Sequence, residues 1–224
     1  MTDSLFQGSH ILSTLLSLSS GPTTHAIARR ALPTTSAALQ PHINADSSAW
    51  PSVFSSLSPT PNVFFSALGT TRAAAGSIEK QRAIDIDLNL ALARSAKESG
   101  VKTYVLISSN GSSASSRFPY MKMKGELEDE VRKLGFAHTV ILRPGLIVGE
   151  RENGRLAEAL LRKVTNVVGA ISPGFKDIYA QDADVIAKAA VNAGRQCAEG
   201  KKEEGVWILE QSDIVRLGRT EWKE

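Results

Sequence analysis

Two rhythms of apolar and polar positions alternate along the chain. Compact apolar runs, of the length expected for strands buried on both faces, occur at Asn62–Leu68 and Val101–Ser108, with another at Thr139–Leu142. Shorter candidates lie at Thr24–Arg30, Leu39–Ile43 and Val206–Leu209. Between them the spacing turns helical. Ile11, Leu12, Leu15, Leu16 and Leu18 form a stripe that predicts a helix over Ser9–Leu18. Ile84, Leu88, Leu92 and Ala96 do the same within Ile78–Ser99, closed by Gly100 as the residue after the cap. Phe118–Leu134, Glu152–Val168 and Asp182–Gln196 read as further helices, and Ser47–Leu57 as helical around Trp50 and Phe54. The tail beyond Leu209 is polar. Strands alternating with helices at this spacing predict an α/β fold, a doubly wound parallel sheet with right-handed crossovers. Ligands of such sheets sit beyond the carboxyl ends of the strands, where Arg29, Gly69, Ser109 and Arg143 all fall.

Composition narrows this picture without changing it. With 224 residues, 42% hydrophobic and 22% charged, the chain suits one domain over residues 1–224. The net charge of +3 is mild and its basic residues are scattered, which leaves no footprint for nucleic acid. Cys197 is the single cysteine, so no internal disulfide forms; it reads as a small packing residue in a reducing compartment. The four histidines are dispersed with no metal-ligand spacing, and no Walker-type loop is present. No run of about 18 apolar residues occurs, so no transmembrane helix is predicted. The first 60 residues are rich in Ser and Thr and poor in acids, which resembles a mitochondrial targeting segment. The Ser9–Leu18 stripe carries no Arg on its polar face, so it is read as the first helix of the domain.

Chemistry concentrates between Val105 and Glu128, where a buried strand passes through a Ser/Gly-rich loop into a helix opening with Tyr120 and Lys124. Residues four apart share a helix face, so the phenol and the ammonium point into the same space. An ammonium beside a phenol favours the phenolate, which lets it exchange a proton with a carbonyl or alcohol oxygen. Ser108 or Ser109, at the end of the preceding strand, is placed to hydrogen-bond that oxygen. A Tyr-x-x-x-Lys pair alone is also ordinary surface chemistry, with Tyr packed on a Lys stem. The Ser-rich stretch Ser112–Ser116 reads as a flexible active-site loop, with phosphorylation as the other reading.

The blocks ALGTTRAAAGS, IDIDLNLALARSAKESGVKTYVLISSNG, PYMKMKGELE and ILRPGLIVGERENGR resemble the atypical short-chain dehydrogenase/reductase superfamily. Within it the chain is most similar to a fungal mitochondrial-outer-membrane family related to the animal Tat-interacting-protein oxidoreductase. The resemblance covers nearly the whole chain from Gly8 onward. It implies an NADP(H)-dependent oxidoreductase of unknown carbonyl or alcohol substrate, held peripherally on the mitochondrial outer membrane. By the same resemblance Tyr120 is the acid/base and Lys124 its partner, which also holds the nicotinamide ribose. Ser109, rather than Ser108, polarises substrate. Leu68 and Gly69 pass beside the cofactor, and Ile147 and Arg155 contact its nicotinamide end. Arg29 and Arg30 stand where cations receive a 2′-phosphate.

One departure bears on all of these assignments. The family opens with an apolar strand running into a Gly-x-x-Gly-x-x-Gly loop; here MTDSLFQ precedes Gly8, which matches only the last glycine. In the sheet order 3-2-1-4-5-6 that strand is central. The expectation is therefore an incomplete gene model or splice form, or a protein that has abandoned dinucleotide binding as a non-catalytic binding module. A distorted N-terminal third is expected beside a well-formed region from Asn62 to Arg143. The neighbours of the missing strand are expected either to close up or to leave a slot.

Overall fold

The computed structural model describes residues 3–19, 21–148 and 180–224. Strand β4 (Thr103–Ile107) is buried at all five positions, as its unbroken apolar run requires of the middle of a parallel sheet. It pairs on one side with β3 (Val63–Ser66) and on the other with β5 (His138–Leu142), which in turn pairs with the late strand β8 (Gly205–Leu209). All three ladders are parallel, in the order β3-β4-β5-β8. Strands β1 (Thr24–Ala28) and β2 (Leu39–Ile43) form a separate parallel pair with five residues in register. A third pair joins β6 (Leu146–Val148) to β7 (Ala180–Asp182). The architecture is an α/β, Rossmann-like fold.

Helices cover both faces. On one face α1 (Asp3–Ser17), α6 (Ala183–Ala198) and α7 (Gln211–Val215) pack around Ile11, Leu18, Val105, Val140, Ile186 and Leu217. The polar-looking tail thus supplies core residues, since Ile214 and Leu217 are fully buried. On the other face lie a 3-10 helix over Ser47–Ser56, α4 (Asn89–Glu98) and α5 (Pro119–Lys133). These bury Trp50, Phe54, Leu92, Tyr104, Leu127 and Val131. Short helices α2 (Arg72–Ala75) and α3 (Ile78–Arg82) follow β3. A π-helical turn over Ala83–Leu88 joins α3 to α4, so the predicted helix Ile78–Ser99 is one rod with a bulge. Gly100 and Gly135 take the left-handed conformation expected after helix ends, at φ 94° and 65°.

The helix predicted over Ser9–Leu18 begins earlier, at Asp3. The N-terminal third departs from the regular fold in its sheet pairing and not within its elements: β1 and β2 keep a complete ladder and α1 is continuous, while β1–β2 stands apart from the sheet of β3, β4, β5 and β8. The reason lies in the layers rather than the sheet. Ile11 of α1 and Leu18 just past its end are buried with Val63 and Phe65 of β3 packed on their cluster, while Ile27 of β1 packs with Phe64 and Leu68 on the opposite face. Side-chain burial on both faces therefore holds β1 and β3 although no ladder joins them among the described residues. Of the two outcomes expected for the sheet, the strands stay unjoined.

Candidate active site

Two helical faces meet the carboxyl ends of β3 and β4. On α5, Pro119 at the first helical position sets the turn from which Tyr120, Lys124 and Glu128 project at four-residue intervals. Tyr120 is 41% exposed, Lys124 is buried, and Glu128 is fully buried. The Lys124 ammonium donates to the Ile107 carbonyl at 3.5 Å, at the last residue of β4. Gly125, beside it, touches the loop that leaves β4: a β-carbon there would collide with the backbone of Ser113 and Ala114. The Ser-rich segment is accordingly seated on α5, with Ser113 N–H donating to the Met121 carbonyl at 3.1 Å.

The two candidate serines separate cleanly. Ser108 is buried and its hydroxyl donates to Glu128 Oε1 at 2.5 Å, with Ser112 Oγ 3.1 Å away. Ser109 is only half-buried, and its carbonyl accepts from Ser112 Oγ. Glu128 also accepts from Arg143 at 2.6 Å and Arg132 at 3.2 Å, and Arg143 reaches Glu210 at 3.1 Å. Sequence position groups Arg143 with the strand-end residues. Its guanidinium is instead committed to joining β5, α5 and the start of α7, because Glu128 offers a buried carboxylate to a planar, five-donor partner.

The second face was not read from the sequence. Gln81, Asp85 and Asn89, again at four-residue intervals, clasp the loop after β3. Asn89 accepts from the Ser66 hydroxyl at 2.5 Å and donates to the Leu68 carbonyl at 3.2 Å. Gln81 donates to the Thr70 carbonyl at 3.0 Å, and Asp85 Oδ1 accepts from the Thr70 N–H at 2.6 Å. All three residues are buried. Their signal was available: polar side chains recurring at helical spacing inside an otherwise amphipathic rod. Burial pushes the Asp85 carboxyl above its ordinary value, while the charge of Lys124 and the bonds from Thr70 and Gln81 hold it down. The two faces converge at Gly69. A β-carbon on Gly69 would stand 3.6 Å from Lys124 Nζ and 3.7 Å from Asp85 Oδ1.

The cleft on the other side of this loop is lined by Arg29, Trp50, Leu68, Gly69 and Thr70. The structure thus brings Arg29, Leu68, Gly69 and Lys124 to one region, with Tyr120 one turn before Lys124 and Ser109 just past β4. Arg30 is exposed beside Arg29. Gly8 lies inside α1 rather than in a loop before it, because the helix extends back to Asp3. Ile147 belongs to β6, and Arg155 lies outside the described residues, as does the helix expected at Glu152–Val168.

The chemistry of these residues bears on whether they suit a nicotinamide dinucleotide. The Thr70 hydroxyl is buried without a hydrogen-bond partner beside the Arg29 cleft, and the exposed Tyr120 adjoins a buried ammonium. Both ends of such a ligand therefore find suitable groups. Gly8, being helical, supplies no turn for its pyrophosphate.

The family model described as HIM1 matches residues 40–172. Over 218 residues the chain is 50% identical to the protein fmp52-1, mitochondrial, of Aspergillus terreus, covering 95% of this chain and 94% of that protein. Among solved structures, MoeE5 in complex with UDP-glucose and NAD aligns with a TM-score of 0.64 at 17% identity, over 92% of this chain and 72% of that one. A short chain dehydrogenase family protein from Francisella tularensis aligns at 0.63 and 14% identity, over 92% and 93%. Parallel strands, helices on both faces and half-identity over nearly the full length lead to one conclusion: the chain belongs to the HIM1 family, with the fungal Fmp52 proteins, and carries the short-chain dehydrogenase/reductase fold.

Proposed function

We propose that this protein is an NADP(H)-dependent oxidoreductase acting on a small carbonyl or alcohol, attached peripherally to the mitochondrial outer membrane. The observation that carries the reading is the placement of Lys124. Its ammonium is buried against Ile107 and Gly69, one helical turn beneath an exposed Tyr120. Tyr120 donates its phenolic proton to the substrate oxygen as that oxygen gains negative charge, and takes it back in the oxidative direction. Ser109 hydrogen-bonds the same oxygen; Ser108 is occupied by Glu128 and does not. Lys124, one turn along the same helix face, holds the ribose of the dinucleotide. The bound nicotinamide supplies the hydride. Arg29 and Arg30, exposed at the end of β1, receive a 2′-phosphate, which favours NADP(H) over NAD(H).

The Fmp52 relatives are named as mitochondrial proteins, which supports a mitochondrial location. Among the described residues no helix is long and apolar enough to cross a membrane. A peripheral protein is extracted from mitochondria by carbonate; retention in the pellet, or a purely cytosolic signal, overturns that part of the proposal. For the chemistry, the test is NADPH and NADH titration by fluorescence, followed by turnover with a panel of aldehydes and quinones. NADPH binding with NADPH-dependent reduction is expected.

A second reading has its own observation. Gly8 lies within α1 and forms no turn. A binding module that keeps the fold without dinucleotide chemistry fits that feature, and absence of nucleotide binding with a cooperative melt would select it.

A further inference from the structure

We propose that Asp85 is a positioning residue whose carboxylate holds the Lys124 side chain inward across Gly69. This rests on the oxidoreductase reading above and adds to it a third ionisable group. Asp85 sits on the π-helical turn between α3 and α4, a feature that costs regular hydrogen bonding and is found most often at functional sites. Asp85 is 2% exposed, and Lys124, which it faces, is 6% exposed. An ammonium removed from water needs either a counter-charge or a full set of acceptors. The protein acceptor described for Lys124 is the Ile107 carbonyl at 3.5 Å, a long contact for a group with three donors. Asp85 supplies the counter-charge from the opposite helix, and Gly69 lies between the two groups: a β-carbon there would stand at van der Waals distance from both, 3.6 Å from Lys124 Nζ and 3.7 Å from Asp85 Oδ1. The carboxylate is itself fixed by the Thr70 N–H and by Gln81, so it cannot swing toward solvent without releasing the loop that carries Gly69.

Two consequences separate positioning from mere loop anchoring. An amide at position 85 has an oxygen to accept from Thr70, so Asp85→Asn keeps that loop contact while removing the charge and the weaker 3.5 Å acceptor for Gln81. Lys124→Met leaves Asp85 buried without its counter-charge. The test is the double-mutant cycle of these two variants, read as melting temperature at pH 5 and pH 8, together with NADPH titration of each. Asp85→Asn is expected to lower the melting temperature of the parent protein but raise that of Lys124→Met. Lys124→Met is expected to lose stability from pH 5 to pH 8, because the unfolded chain ionises Asp85 at lower pH than the folded one; Lys124→Met/Asp85→Asn loses that slope. NADPH affinity is expected to fall about tenfold in Asp85→Asn, the scale of one lost charge-assisted interaction. Additive stabilities overturn the proposal, because the two groups are then uncoupled. Coupled stabilities with unchanged NADPH affinity also overturn it, leaving a structural ion pair. If the parent protein binds no NADPH while the coupling persists, the oxidoreductase reading fails and the positioning role fails with it; the stability arm tells the two failures apart.

Discussion

The hydroxyl of Ser108 donates to Glu128 at 2.5 Å, a bond between the end of the central strand and a fully buried carboxylate on the next helix. Glu128 takes Arg143 and Arg132 as well, so one side chain ties β4, α5 and β5 together behind the candidate site. Replacing Glu128 by Gln leaves two arginines crowded without their shared anion. A loss of about 3 kcal/mol is expected, the low end for a broken buried pair, because both arginines keep some access to water. Urea unfolding measures it; a change within error would show that the cluster is not a stability determinant.

Tyr120→Phe removes the proton donor and little else, since the phenol is exposed. Turnover with a carbonyl substrate is expected to be lost while NADPH affinity stays within about twofold. Ser109→Ala is expected to lower turnover, and Ser108→Ala to lower stability instead. Exchange of those two phenotypes would reverse the assignment of the serines.

Arg29→Ala/Arg30→Ala is expected to weaken NADPH binding by roughly tenfold or more and to leave NADH binding unchanged. Equal affinity of the parent protein for both nucleotides would remove the basis for the assignment.

Gly125 admits no side chain, because the loop backbone at Ser113 and Ala114 occupies that space. Gly125→Val is expected to cost about 1–3 kcal/mol and to displace the loop carrying Ser109. Lowered stability without lowered turnover would show that the loop adapts.

His25 and His42 join β1 to β2 through a hydrogen bond of 3.0 Å between their rings. Burial, then the charge of His25, lowers the His42 pKa from its ordinary value. The unfolded chain therefore takes up its proton first as pH falls, so stability is present above the usual histidine range and is lost on acidification through it. His42→Asn is expected to flatten the decline in melting temperature between pH 7 and pH 5; an unchanged slope would assign the decline to other groups.

Much of this was legible in the chain. The apolar runs that became β3, β4 and β5 needed nothing beyond their length, and Tyr120 and Lys124 declared themselves by spacing. Other features depended on distant partners. Arg143 stands at a strand end like a ligand residue, and only the fold places Glu128 within reach of it. Ile214 and Leu217 sit in a polar tail with too little periodicity to announce burial, and α6 covers them. Asp85 looked like one acid among the charges of an amphipathic helix. The π-helical turn that faces it toward Gly69 leaves no signature in composition.

The separation of β1–β2 from β3–β4–β5–β8 has a consequence for how the backbone breathes. Along a parallel strand, successive N–H groups point alternately to the neighbours on either side. Those of β4 meet acceptors on both flanks, whereas those of β1 and β3 that point across the gap meet no ladder partner among the described residues. Amide deuterium uptake is therefore expected to divide β3 against itself, with positions facing β4 exchanging on the timescale of global unfolding and alternate positions through local opening. In β4 and β5, flanked on both sides, the alternation vanishes.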